Sequence, residues 1–357
     1  MMDGGSTVMP IVYPEISLTE ICDILETAEN VLILTHVNPD GDTIGSAYAL
    51  QCLVEAMGTR ARVICPSPIP HRLAFLMHGD GDPAWSAEET DSAADTYDVI
   101  CSVDVASPMQ LGELGCLLSV VDFMIDHHGT GEPFAPHWID EHASACGEML
   151  YDIYCELSSR GHFEVHPEAA RRIYAAIVSD TGSFKFSNTT TKTHLIAAGL
   201  VDVINTAADG GMDTAADGGM DTAAVCRSLF GQRTLREMQA QALAITNLLL
   251  FCGGRLGVVL FTAEMLAAAG LTEEDIGNAV DTPRSLEGVQ IGLSIRQLGD
   301  TNTYKVSSRA NGDYDCAAVC AAFGGGGHTR AAGCTIEADT PADAVALVVT
   351  AFSSASE

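Results

Sequence analysis

The chain has 357 residues, enough for about two domains, and 47% are hydrophobic, so each domain can hold a core. Its 17 Lys and Arg face 48 Asp and Glu, a formal net charge of −31 that excludes non-specific binding to long duplex nucleic acid. No apolar run could span a bilayer, the start MMDGGSTVMP is no secretion signal, and twelve scattered cysteines form no CxxC pair; the expectation is a cytoplasmic protein with reduced thiols.

In chain order, residues 16–29 carry Leu18, Ile21, Ile24, Leu25 and Ala28 at helical spacing. Val31–Leu34 reads as a buried strand that opens into His36, Asn38, Pro39, Asp40, Gly41 and Asp42. Ile44, Ala47, Leu50, Leu53 and Val54 then mark a helix over 44–57. Pro39 stiffens the turn and Gly41 lets it bend between the two Asp. An imidazole and two carboxylates at a strand-to-helix turn suit Mn²⁺, Mg²⁺ or Zn²⁺; the same residues also read as a loop whose Asp caps the next helix.

Ala61–Cys65 is a second short strand, His71–Met77 a short helix, and Ala84–Thr96 an acidic loop or helix. Tyr97–Val103 is another buried strand, ending at Asp104. Val120–Ile125 is a further one, delivering Asp126, His127 and His128. Helices follow at Ser144–Leu157 and Pro167–Val178, the second running into Ser179-Asp180-Thr181-Gly182-Ser183. Strands alternating with helices predict an α/β fold with a doubly wound, mostly parallel sheet whose carboxyl ends share one crevice. Adjacent His at a strand end point to opposite sides, so His127 and His128 cannot serve one metal equally.

Residues 206–221 repeat TAADGGMD in tandem, read as a flexible connection because paired glycines break a helix. Arg227–Leu250 reads as one long bridging helix. The pattern then restarts as a smaller C-terminal α/β domain: strand Leu256–Phe261, helix Glu273–Val280, strands Val289–Gln297 and Thr303–Arg309, helix Cys316–Ala322, strand Gly333–Ile336 and helix Pro341–Phe352. Between them Gly324, Gly325, Gly326 and Gly327 precede His328, a run whose backbone N–H groups could form an anion nest, and Arg309 offers a planar fork for phosphate. The boundaries are 1–205, 206–250 and 251–357.

HVNPDGDTIGS at 36–46, SVD at 102–104, DHH at 126–128 and SDTGSF at 179–184 resemble, in order, the metal motifs of the DHH phosphoesterase family. SSR at 307–309 with FGGGGHTRAAG at 323–333 is similar to its DHHA1 companion domain, so the resemblance covers about residues 18–355. Within the family, the chain is most similar to the bifunctional oligoribonuclease and PAP phosphatase group. The resemblance implies hydrolysis of very short RNAs and of 3′-phosphoadenosine 5′-phosphate (PAP), with cyclic di-AMP or a linear dinucleotide as the alternative substrate. A pyrophosphatase would have a different second domain, and a processive exonuclease a longer chain with a basic channel.

The resemblance also implies roles. His36 and Asp40 would hold one cation, Asp42, His127 and Asp180 another, with Asp104 bridging both. His128 would touch the phosphate or assist the leaving oxygen, oriented by Asp126. Arg309, His328 and the backbone of Gly325, Gly326 and Gly327 would hold the far phosphate. Four Asp charges balance two divalent cations, Mn²⁺ or else Mg²⁺, and without metal the clustered carboxylates would repel one another and their pKa values would rise. The expected partners are short RNA and small nucleotides, not long duplexes or membranes, and a homodimer is left open.

Overall fold

The computed structural model describes residues 12–79, 83–90, 92–163, 166–209, 221–277, 279–312 and 314–354. The chain divides into two compact units, Met1–Gln232 and Arg233–Glu357. Among the described residues no helix is long and apolar enough to cross a membrane.

In the first unit, β1 (Asn30–Leu34), β2 (Arg60–Ile64), β3 (Val99–Val103), β4 (Phe123–Asp126) and β5 (His137–Ile139) form a parallel sheet in the order β2-β1-β3-β4-β5. Its inner strands are continuous apolar runs because both faces are covered. On β1, Val31 and Ile33 enter a core shared with the helices Leu18–Thr27, Gly41–Ala56, Cys146–Ser159 and Pro167–Asp180; Leu32 and Leu34 enter a second core on the other face, with Leu111, Leu114 and Leu117. The order reverses between β1 and β3, the switch point at which such a sheet opens a crevice at its carboxyl ends.

Small residues set the helix spacing beneath that crevice. A Cβ on Gly45 would lie 2.8 Å from the Arg172 carbonyl oxygen, and one on Gly147 would lie 2.8 Å from Ala176 Cβ. Three helices are thereby drawn together at backbone distance.

The second unit is a mixed sheet of β6 (Leu249–Phe251), β7 (Leu256–Phe261), β8 (Ile291–Gln297), β9 (Thr303–Ala310), β10 (Gly326–His328) and β11 (Ala331–Glu337), ordered β10-β11-β9-β8-β7-β6. Only the β7–β8 pairing is parallel. Leu256 and Val258 face one core, closed by Val348 and Phe352 of the Pro341–Ser354 helix, and Val259 and Phe261 face another, against Ala240 and Ala244. The expected α/β class, with a parallel sheet followed by a smaller α/β unit, holds.

Several elements differ from expectation. The single helix expected over Arg227–Leu250 is a π turn at Arg227–Gly231, a helix at Leu235–Thr246 and strand β6. Thr234 and Glu237 form a reciprocal capping box that starts the helix afresh. The helix Thr191–Asp209 was not anticipated, and it carries the first residues of the duplicated segment as helix; 210–220 lie outside the described residues. Gly277, at φ 51°, stops the helix expected to Val280 at Ile276. All twelve cysteines are free.

Candidate metal centre

Beyond β1 the chain passes His36 and reaches Asp40, the N-cap of the Gly41–Ala56 helix, whose Oδ1 accepts from the N–H groups of Asp42 (3.0 Å) and Thr43 (3.1 Å). The capping alternative is therefore real, and it holds Asp40 where its Oδ1 also lies 3.9 Å from His36 Nε2. Gly41 is not needed for its φ, contrary to expectation: a Cβ there would lie 2.7 Å from Ser179 Oγ, so it permits close packing beside Asp180.

Asp42 is fully buried at the start of a second helix. Its Oδ2 accepts from Cys146 N–H at 2.7 Å, and its Oδ1 from Gly147 N–H and Ser46 Oγ, each at 3.0 Å. Those two backbone donors are among the unsatisfied N–H groups of a helix start, a natural anion seat. Sequence reasoning missed them; Ala145 precedes the helix with no capping side chain to signal its start.

Asp104 follows β3 with φ 61°, the left-handed region that an L-residue other than Asn or Asp seldom visits. Its N–H donates to the Ile125 carbonyl at 2.9 Å, which pins this conformation to the end of β4. His36 Nε2 lies 3.5 Å from Asp104 Oδ2, and His127 Nε2 lies 3.6 Å from its Oδ1. His127 Nε2 is also 3.6 Å from Asp42 Oδ2 and 3.3 Å from Asp180 Oδ2.

The two adjacent imidazoles do not diverge as expected. They lie past the last residue of β4, where strand alternation no longer applies, and their ring centroids are 4.4 Å apart. His128 Nδ1 approaches Asp104 Oδ1 at 3.7 Å and Asp126 Oδ1 at 2.8 Å. The structure thus gathers His36, Asp40, Asp42, Asp104, His127, His128 and Asp180, with Asp126 behind His128. Three groups within it have donor atoms close enough to share an ion: His36–Asp40–Asp104, Asp42–His127–Asp180 and Asp104–His127–His128.

The donor chemistry fits a cation. His36 Nδ1 is 2.8 Å from the Val37 carbonyl and His127 Nδ1 is 3.3 Å from the Ala143 carbonyl. A carbonyl only accepts, so each Nδ1 carries the proton and each Nε2 presents a lone pair to the carboxylates, the arrangement typical of metal-ligating histidine. Among the described residues, Asp104 Oδ1 and His127 Nε2 are buried without a hydrogen-bond partner. Lone pairs and carboxylates at 3.3–3.6 Å repel unless a proton or a cation lies between them.

In the protein alone, protons meet that need. Burial, then Asp180, pushes Asp42 up to about 7, and burial with Asp42 and Asp40 holds Asp104 well above the carboxylate range. Burial opposes charge on His127, yet Asp180, Asp42 and Asp104 together push it up to about 10. The cluster retains protons at ordinary pH on groups that a divalent cation would strip.

Residues 30–177 match the DHH family, N-terminal domain, and residues 258–354 match the DHHA1 domain. The chain belongs to the DHH/DHHA1 family. Over 321 residues it is 28% identical to the bifunctional oligoribonuclease and PAP phosphatase NrnA of Thermus thermophilus, covering 89% of this chain and 87% of that one. The corresponding NrnA of Bacillus subtilis is 24% identical over 338 residues, 92% of this chain and 96% of that one. In fold, the chain is similar to a crystal structure of an exopolyphosphatase-related protein from Bacteroides fragilis (TM-score 0.79, 23% identity, 95% of this chain and 94% of that one). It is also similar to exonuclease RecJ bound to manganese (TM-score 0.55, 15% identity, 98% and 97%).

The DHHA1 unit places the remaining candidates on its own sheet. Arg309 lies on β9 opposite Ala331, and its Nη1 donates to the Ser308 carbonyl at 3.0 Å. The tetraglycine is not an open nest: Gly324 N–H donates to Ala321 and Gly325 N–H to Cys320, each at 3.0 Å, closing the Cys316–Ala321 helix. Gly326, Gly327 and His328 pair with β11 as a short strand. A Cβ on Gly325 would lie 2.2 Å from the Gly333 carbonyl oxygen and one on Gly327 2.5 Å from that of Ala331, so these two glycines are required by contact with their own sheet.

One further residue of the DHH unit joins the site and escaped the sequence reading. Asn188 Nδ2 donates to the carbonyls of Ser144 (2.8 Å) and Asp180 (3.1 Å), tying the segment behind Asp180 to the loop that supplies the donors to Asp42. Ser144 in turn donates to the buried Glu148, which also accepts from Thr193 at 2.6 Å.

Proposed function

We propose that this chain is a two-cation phosphoesterase that hydrolyses short oligoribonucleotides to mononucleotides and PAP to AMP and phosphate. The observation that carries the reading is the pair of histidines whose Nδ1 atoms are fixed on carbonyls and whose Nε2 atoms enter one cluster of four Asp. The names of the Thermus and Bacillus relatives supply the substrate class, and the manganese-bound exonuclease of like fold supports Mn²⁺ as the cation.

His36, Asp40 and Asp104 would hold one cation, and Asp42, His127 and Asp180 the other, with Asp104 shared. When bound, the pair supplies Lewis acidity toward phosphoryl oxygens and water of lowered pKa. The chain's own groups do the rest. Four carboxylates that balance two divalent charges leave the site able to accept an anionic phosphate. Asp126 fixes His128 through Nδ1 at 2.8 Å, so that Nε2 would touch the phosphate or, in the doubly protonated ring, donate its proton to the leaving oxygen and revert to the neutral imidazole. Arg309 and His328 would engage the far phosphate, while Gly325 and Gly327 shape the strand that carries His328.

The test is a substrate panel of PAP, RNAs of two to five nucleotides and cyclic di-AMP, assayed with Mn²⁺ and with excess chelator. PAP and the short RNAs are expected to be consumed only with Mn²⁺. Full turnover in chelator overturns the reading, and turnover of cyclic di-AMP alone replaces it with the dinucleotide alternative.

A further inference from the structure

The turn that follows Asp180 presents an aromatic ring with no role in the cation cluster. Gly182, Ser183 and Phe184 are consecutive residues with positive φ (55°, 60° and 63°). The turn is closed by the N–H groups of Lys185 (2.9 Å) and Phe186 (3.0 Å), both donating to the Thr181 carbonyl. In extended backbone Phe184 and Phe186 would share one face. Here the left-handed run separates them. Phe184 turns inward, stacked on His194 with ring centroids 5.2 Å apart, and packs on the core.

Phe186 turns outward and remains 49% exposed. It is held against the backbone: a Cβ on Gly182 would meet three of its ring carbons at 2.4–2.6 Å. A lone exposed apolar residue is ordinary. This one is fixed in orientation by a strained turn, six residues after a carboxylate of the cluster, on an enzyme whose substrates carry nucleobases.

We propose that the Phe186 ring is the stacking platform for the base of the nucleotide whose phosphate enters the Asp–His cluster. The inference rests on the phosphoesterase reading and deepens it. Every base has a π face, so stacking grips a short RNA without selecting its sequence. It also explains how a strongly acidic protein could hold an anionic substrate: part of the grip is apolar.

The experiment compares wild type, Phe186→Ala, Phe186→Leu and Phe186→Tyr on a 5′-phosphorylated adenosine dinucleotide and on its abasic counterpart, with Mn²⁺. Leu keeps an apolar cover over Gly182 but no flat π face, so it separates stacking from folding. Phe186→Ala and Phe186→Leu are expected to raise KM for the dinucleotide about tenfold with kcat little changed, while Phe186→Tyr stays near wild type. The abasic compound should be turned over alike by all four proteins. An unchanged dinucleotide KM in Phe186→Leu, or an equal loss on the abasic compound, overturns the platform and leaves the phosphoesterase standing. A wild type inert toward every nucleotide overturns both.

Discussion

The Asp42 carboxylate accepts the Cys146 N–H at 2.7 Å, joining the first residues of two helices that are 104 positions apart in the chain. The same oxygen stands 3.6 Å from His127 Nε2. Asp42 is therefore both a structural clasp and a candidate donor, and the two roles respond differently to substitution. In Asp42→Asn the amide oxygen still accepts one backbone N–H, so the fold should survive. The charge is lost, and activity should fall by about 10²-fold or more, since even supporting residues of such sites cost roughly 10- to 100-fold. Thermal unfolding with and without Mn²⁺ checks it. Wild type at about 100 times Kd should gain about 2.7 kcal/mol, and the Asp42→Asn variant much less.

Protons and cations compete for the cluster, which fixes the sign of a pH effect. Asp42 at about 7 and His127 at about 10 both lie above the values of 3.8 and 6.5 they take when unperturbed. The folded, metal-free chain thus keeps protons that the unfolded chain releases. The His127 contribution to stability is complete below pH 6.5 and lost as pH rises through about 10; that of protonated Asp42 is lost between 3.8 and about 7. Cation binding must expel these protons. Mn²⁺ should therefore raise Tm more near pH 8 than near pH 5.5, and an equal rise at both would contradict the assignment.

Asn188 should act through metal affinity. Both of its amide hydrogens are engaged, one on the Ser144 carbonyl and one on that of Asp180. Asn188→Ala frees the Asp180 backbone, and Asn188→Asp cannot supply the two donors. Both variants should weaken Mn²⁺ binding about tenfold by calorimetry. Fold loss alone would instead lower the active fraction and leave the Mn²⁺ affinity of the remainder unchanged.

Gly45 tests the helix contact that underlies the site. An Ala there brings a methyl within 2.8 Å of the Arg172 carbonyl oxygen. Overpacking of this kind costs about 1–3 kcal/mol, so Tm should fall by roughly 2–4 °C for each kcal/mol. An unchanged Tm in Gly45→Ala would show that the helices can part freely.

Much of this was readable in the chain because parallel strands buried on both faces are unbroken apolar runs; Val31–Leu34 and the run ending at Val103 stand out for that reason. The DHH and SVD segments were legible through their Asp and His, which have little other reason to end such runs. What escaped has physical causes. β5 is three residues long and half-buried, leaving little periodic signal. The Thr191–Asp209 helix runs into glycine pairs that mask its Ile196–Leu200–Ile204 stripe. The restart at Thr234 was written in the sequence as Thr and Glu three apart, and the bridging-helix reading passed over it. Backbone partners such as the Cys146 N–H carry no side-chain signature, so no pattern of residue types could disclose them.

The left-handed geometry of Asp104 has a consequence for variation at that position. Among uncharged replacements, only Asn combines similar size with ease at φ 61°. Asp104→Asn is thus the change most apt to yield a well-folded but silent protein, one that could be caught with its nucleotide still in place. A bulkier or β-branched replacement would instead disturb the Asp104 N–H bond to Ile125 and with it the pairing of β3 and β4. Ligand trapping and chain collapse are separated here by the choice of a single side chain.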